Sequence, residues 1–179
     1  MIDVIAQILG IAAMLLGILS LQCMKVRNYY IMVALSGLLF SVNYIMIGAF
    51  TGAVLNFLSI IRAFIFVNKK HCRDMKWLIL VCGMYVVSAV AIQIFFYIDF
   101  VQLLLSLATL TAMLVITYAM WIDNPDSIRW LTIFVSSPIW ILHNSINFTI
   151  GGICCDTFNI VSAIIYLVRV KFKKPKVSF

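Results

Sequence analysis

Between Tyr29 and Val67 the chain reads YYIMVALSGLLFSVNYIMIGAFTGAVLNFLSIIRAFIFV, close to forty residues in which Arg62 is the only charge. Lipid leaves no backbone polar group unpaired, so an apolar run of this length crosses a membrane as helices or as part of a closed barrel. The strict apolar–polar alternation of barrel strands is missing. Two membrane helices are therefore expected, joined by a short turn at Thr51-Gly52.

The same pattern recurs near the C-terminus. Residues 28–45 laid on 129–146, and 46–70 on 149–173 after a two-residue insertion, give ten identities in 43 positions, against roughly three expected by chance. The polar matches weigh most: Ser36 with Ser137, Asn43 with Asn144, Gly48 with Gly151, Asn56 with Asn159, Ser59 with Ser162. Apolar matches carry little in a membrane protein, whereas Asn is costly in hydrocarbon.

A hydrophobic fraction of 65% places the whole chain among polytopic membrane proteins. Hydropathy divides it into helices of about Val4–Leu21, Tyr29–Phe50, Gly52–Val67, Trp77–Tyr97, Val101–Trp121, Ile128–Asn147 and Ile153–Val170. The expected fold is all-α, seven transmembrane helices forming two parallel three-helix bundles joined by a linker helix, a 3+1+3 plan. The bundles would occupy residues 1–70 and 100–179, with 71–99 as linker.

The net charge of +7 comes from basic residues at the loop edges, where positive charge sets orientation and gives no sign of nucleic-acid binding. Lys25, Arg27, Lys69, Lys70, Arg73, Lys76 and the tail lysines then lie in the cytoplasm. Asp3, Asp99 and Asp156 lie outside, so the N-terminus is outside and the C-terminus inside. The first helix has no basic leader and no Ala-x-Ala cleavage site, and reads as retained. The five cysteines have no metal-ligand spacing and read as small apolar fillers.

Asn56 and Ser59, three apart, share one face of the third helix, as Asn159 and Ser162 do on the seventh. In a quasi-symmetric bundle these faces offer amide groups to a small polar ligand. Alternatively, the Asn side chains tie neighbouring helices together, at about 0.6 kcal/mol each. A second stripe is formed by Ser36, Phe40 and Asn43 on the second helix and by Ser137, Trp140 or Ile141, and Asn144, with His143 beside them, on the sixth. Aromatic walls around amides suit a sugar or heterocycle; Trp140 and His143 also suit an interfacial belt. Gly37 and Pro138 are candidate hinges for rocking motion. Arg62 reads as snorkelling to the basic surface.

There is no Glu, the Asp residues fall in loops or at the N-terminus, and no phosphate loop, zinc motif or nucleophile elbow is present. An enzyme is the least expected class, and neither cofactor nor metal is implied.

The stretch SGLLFSVNYIMIGAFTGAVLNFLSIIRAFIF at 36–66, with Ser20-Leu21-Gln22 and Lys25/Arg27 before it and WILHNSIN at 140–147, resembles the YgjV family of bacterial inner-membrane proteins over nearly the whole chain. More remotely, the 3+1+3 plan is similar to SWEET and semiSWEET sugar transporters and other PQ-loop proteins, although Leu21 stands where PQ-loop proteins carry proline. The SWEET resemblance implies that Asn56 and Asn159 face a substrate, with Phe40 and Trp140 or His143 as aromatic lids. The expectation is a plasma-membrane facilitator of a small polar solute working by alternating access in the lipid bilayer; a homo-oligomer is compatible with it. The rival is a non-transporting subunit or scaffold that grips a partner membrane protein.

Overall fold

The computed structural model describes residues 2–21, 26–67, 74–96, 99–122 and 125–173. All the regular structure among them is helical: α1 (Ile2–Leu21), α2 (Val26–Met46), α3 (Phe50–Val67), α4 (Met75–Phe96), α5 (Phe100–Ile122), α6 (Pro125–Leu131), α7 (Ser137–Ile146) and α8 (Ile150–Lys173). A π-helical turn, Thr132–Ser136, joins α6 to α7, so these pieces make one interrupted rod and the described residues form seven rods.

The turn between α2 and α3 lies earlier than Thr51-Gly52. Gly48, at φ 77°, ends α2; its N–H bonds the Ile45 carbonyl at 3.2 Å, and the Ala49 N–H bonds the Tyr44 carbonyl at 2.9 Å. This is the Schellman arrangement, which needs a left-handed residue that glycine supplies without strain. Thr51 and Gly52 belong to α3 and are buried. A Cβ on Gly52 would stand 2.9 Å from His143 Cε1 and 3.2 Å from the Tyr44 ring, so glycine here serves close approach.

The turn between α7 and α8 repeats these bonds 100 residues later. Phe148 N–H bonds the Ser145 carbonyl at 3.4 Å and Thr149 N–H bonds the Asn144 carbonyl at 2.9 Å, with Phe148 at φ 53° in the place of Gly48. Met46 and Ile146 end their helices, and Phe50 and Ile150 begin the next pair. The structural register of the repeat is therefore 100 throughout, without the two-residue insertion that the polar matches suggest. Between 26–67 and 126–167 it leaves five identities, Ser36, Gly52, Ile60, Ala63 and Ile65 with their counterparts. It pairs Asn56 with Asp156 and Ser59 with Asn159.

The π turn has a local cause. Pro138 has no N–H, and its ring meets the carbonyl four residues back, so an unbroken α-helix cannot run through it. Widening the preceding turn relieves the clash, and the Ser137 N–H reaches back five residues to the Thr132 carbonyl.

Six rods close into a ring. α1 packs on α2, α2 on α3, α3 on α5, α5 on the π turn and α7, α7 on α8, and α8 returns to α1, while α4 packs outside on α3 and α5. Corresponding seams match. Between α3 and α5, Thr51 Oγ1 and Ser106 Oγ share a hydrogen bond of 2.9 Å. Between α8 and α1, the backbones touch at Gly151 and Gly10, where a Cβ on Gly151 would lie 2.2 Å from the Gly10 carbonyl carbon. Small and hydroxylated residues at both seams let backbones approach where lipid provides no hydrophobic drive. Gln7 locks the second seam, donating to the Phe148 carbonyl at 2.8 Å and accepting from the Ile150 N–H at 3.2 Å.

The outer surface is apolar: Val87, Ile94, Phe95 and Phe100 are 69–80% exposed. Phe50–Val67, Met75–Phe95 and Phe100–Ile122 are long and apolar enough to cross a bilayer, and Val4–Ser20, Ile31–Met46 and Ile150–Ile165 are shorter apolar helices. At the start of α5, the Asp99 carboxylate caps by accepting from the Gln102 N–H at 2.8 Å.

Candidate functional site

The ring lines a partly open cavity of about 230 Å³ to which every one of its rods contributes, while none of the described residues of α4 lines it. Helical geometry decides which residues reach it, since only one stripe of each rod faces the axis. The register of 100 appears again in the lining. Ser36 and Ser136, Phe40 and Trp140, Asn56 and Asp156, and Ser59 and Asn159 all face the cavity in corresponding pairs.

Asn56 and Asn159 both line it, and each ties its amide nitrogen to its own helix. Asn56 Nδ2 donates to the Gly52 carbonyl at 2.9 Å, and Asn159 Nδ2 lies 3.9 Å from Cys155 Sγ. Neither bridges two helices in these bonds, and the Oδ1 of Asn56 makes no bond of its own among them. Ser59 lines the cavity with its hydroxyl turned back to the Asn56 carbonyl at 2.7 Å. Phe40, Trp140 and Gly37 also line it. Trp140, 8% exposed, is an inner wall and not part of an interfacial belt.

Asn43, Asn144, His143 and Ser162 do not line the cavity. Asn43 donates to the Ala6 carbonyl at 2.6 Å and holds α2 to α1. Asn144 accepts from the Tyr44 hydroxyl and donates to Asp156 Oδ2 at 3.2 Å. His143 is 1% exposed and packs edge-on against Tyr44 and Trp140, at 5.6 and 5.3 Å between ring centres. These groups seal one end of the cavity: Tyr44 is 2% exposed, and a Cβ on Gly152 would fall 2.5 Å from the Asn144 amide. Pro138 faces outward.

Two charged residues belong to the cavity although sequence reasoning places them elsewhere. Asp156 lies in the second turn of α8, because that helix begins at Ile150 and not at Ile153. Ser137 Oγ donates to its Oδ1 at 3.4 Å and Asn144 Nδ2 to its Oδ2. The Asn56 pairing holds the clue, but the strong Asn56–Asn159 match conceals it. Arg62 does not snorkel: it is 7% exposed, donates to Thr117 Oγ1 at 3.1 Å and sits 6.0 Å from the centre of the Tyr85 ring. Its Nε is buried without a hydrogen-bond partner. Both charges interrupt the repeat, standing opposite Asn56 and Ser162.

Cys155 lines the cavity as a free thiol, and Cys82 and Cys154 are free as well; Cys23 and Cys72 lie outside the described residues. Lys25, Lys69, Lys70, Arg73 and the lysines at 174 and 176 also lie outside them.

No curated protein and no solved structure matches the chain. A family model described as bacterial inner membrane protein, Imp-YgjV, matches residues 4–174. An all-helical ring with an apolar exterior, matched over almost its whole length, makes this chain a member of the Imp-YgjV family of bacterial inner membrane proteins.

Proposed function

We propose that the protein is a facilitator of a small polar solute, carried through the central cavity by alternating access without a bound cofactor. The observation that carries this reading is that all six ring rods converge on one polar-lined space, with Asn56, Ser59 and Asn159 beside the aromatic walls Phe40 and Trp140. A bundle held together only for packing fills its axis with apolar side chains. At roughly 30 Å³ per water, the space equals about eight waters, the scale of a small solute.

In this reading all seven rods cross the membrane in a 3+1+3 plan, α1–α3 and α5–α8 forming the two halves and α4 the connection. Both hairpin turns close at one end of the ring, as parallel repeats require. The distribution of Lys and Arg along the sequence puts that end outside and the C-terminus in the cytoplasm. Gly37, packed against Ser59 Oγ, and the π turn forced by Pro138 are the flexible points of the rocking motion.

Purified protein should gain thermal stability from a ligand among sugars, nucleosides, vitamins and small amines, by RT ln(1 + [L]/Kd). Replacing Asn56 and Asn159 together by Leu should abolish that gain and uptake, while the protein remains folded in the membrane. Unchanged uptake would remove these residues from the site. A stable heteromeric complex on mild-detergent purification, with no ligand response, would favour the scaffold reading.

A further inference from the structure

We propose that the solute is a small organic cation, an amine or quaternary ammonium compound, held between the Asp156 carboxylate and the aromatic walls of the cavity. This rests on the cavity being a solute site and adds the chemistry of the solute.

Among the described residues, Asp156 is the one carboxylate lining the cavity. Its hydrogen bonds come from neutral donors, the Ser137 hydroxyl at 3.4 Å and the Asn144 amide at 3.2 Å. Among the described residues no Lys, Arg or His makes an ion pair with it; Lys76 pairs with Asp74 on the surface. A carboxylate inside a membrane bundle is expensive unless a positive charge meets it. Arg62, the cation of the lining among the described residues, makes no ion pair with Asp156: its guanidinium donates to Thr117 and sits over Tyr85, with Nε unpartnered. The compensating charge is therefore expected to arrive with the solute.

The walls favour one kind of cation. Phe40, Tyr44 and Trp140 line the same space, and Tyr44 stands 6.1 Å from Phe40 and 6.2 Å from Trp140 between ring centres. Tyr44 is also joined to Asp156 through Asn144, so rings and carboxylate share one end of the cavity. Aromatic faces with a carboxylate attract weakly hydrated alkylammonium groups. A small hard metal ion instead asks for six or more oxygen ligands, and no group of three or more His, Cys, Asp or Glu is gathered among the described residues. The repeat sharpens the point, since the amide of Asn56 corresponds to the carboxylate of Asp156 and the site is charged on one side alone.

The test is thermal stability of the purified full-length protein with choline chloride, tetramethylammonium chloride and methylammonium chloride. Sodium chloride at equal ionic strength, dimethylbutanol as the uncharged carbon isostere of choline, and glucose serve as comparisons. The organic cations should raise the melting temperature in a saturable way, and the comparisons should not. Asp156→Asn should weaken the response at least tenfold and Trp140→Leu several-fold, both variants eluting as monodisperse folded protein. If glucose stabilises through Asn56 and Asn159 while the cations do nothing, the cation assignment falls and the facilitator reading stands. A response kept in Asp156→Asn, or matched by sodium or by dimethylbutanol, also overturns the assignment. If neither the cations nor glucose stabilise the protein, the cation assignment falls, and the facilitator reading falls with it only when nucleosides and vitamins fail as well.

Discussion

Gly151→Ala probes the closure of the ring at its tightest point. The added Cβ would lie 2.2 Å from the Gly10 carbonyl carbon, 2.4 Å from its oxygen and 2.7 Å from the Ile11 nitrogen. These are backbone atoms of another helix, so no rotamer change relieves the contact. Ordinary contact begins near 3.4 Å, and α1 and α8 must part by 3.4 − 2.2 = 1.2 Å at least. Overpacking of this kind costs about 1–3 kcal/mol. The separation also stretches the two hydrogen bonds from Gln7 to Phe148 and Ile150, worth about 0.6 kcal/mol each in a membrane bundle. The better helix propensity of alanine returns up to about 1 kcal/mol. The net is a loss of about 2–3 kcal/mol, or roughly 5–10 °C for a chain of this length. Gly83→Ala on α4 is the matched control, because a Cβ there meets nothing within 4 Å. Thermal unfolding of both variants in the same detergent at one scan rate provides the comparison. Equal melting temperatures would show that α1 and α8 do not touch in this way and that the ring is open.

Thr51→Val removes the hydroxyl pair with Ser106 while keeping the shape, and should cost about 0.6 kcal/mol, read as a small drop in melting temperature. Tyr44→Phe strips Asn144 of its buried donor and should cost about 1 kcal/mol; a double-mutant cycle with Asn144→Leu should recover most of that loss as coupling. Gly48→Ala forces a side chain into the left-handed region and should cost about 1 kcal/mol, whereas Phe148→Gly at the corresponding turn should be neutral or stabilising. Pro138→Ala restores a backbone donor and should raise the melting temperature; no change would show that the π turn has another cause.

Much of the architecture was legible because hydropathy and charge report the solvent of each segment. The all-helical character and the seven rods follow from that pattern, and helix ends moved by only a few residues. Asn56, Asn159, Ser59, Phe40 and Trp140 stand out as polar and aromatic residues at helical spacing against an apolar background, and all five line the cavity. The register was not legible. Five identities remain at the structural offset of 100, since backbone turns and helix packing accept many side chains, and Asn56 against Asn159 is a better sequence match than Asn56 against Asp156. With the helix start set three residues late, Asp156 falls at the outer end of the seventh helix and reads as an outside charge. Arg62 was misplaced for another reason: its distance from the helix end allows snorkelling, and only the positions of Thr117 and Tyr85 on other rods show where the guanidinium goes. Asn43 and Asn144 carry the same residue type as the cavity amides, and the partner each one meets separates fastening from lining.

The fastenings of the ring are unevenly distributed. The Gln7 bridge, the Gly10–Gly151 contact, the Thr51–Ser106 pair and the Tyr44–Asn144 bond all lie at the end where both hairpins turn. Farther from the turns, Ser36 Oγ donates to the Ala13 carbonyl at 2.7 Å, Arg62 reaches Thr117 Oγ1, and Ala34, Ala63, Phe66 and Met120 pack into a buried apolar cluster. Mechanically, one rim is fastened chiefly by hydrogen bonds and backbone contact and the other chiefly by apolar packing. Amide protons near Tyr44 and Asn144 should exchange most slowly, those near Val33 and Ile116 faster, and the cavity should breathe by splaying from its apolar rim like a collet.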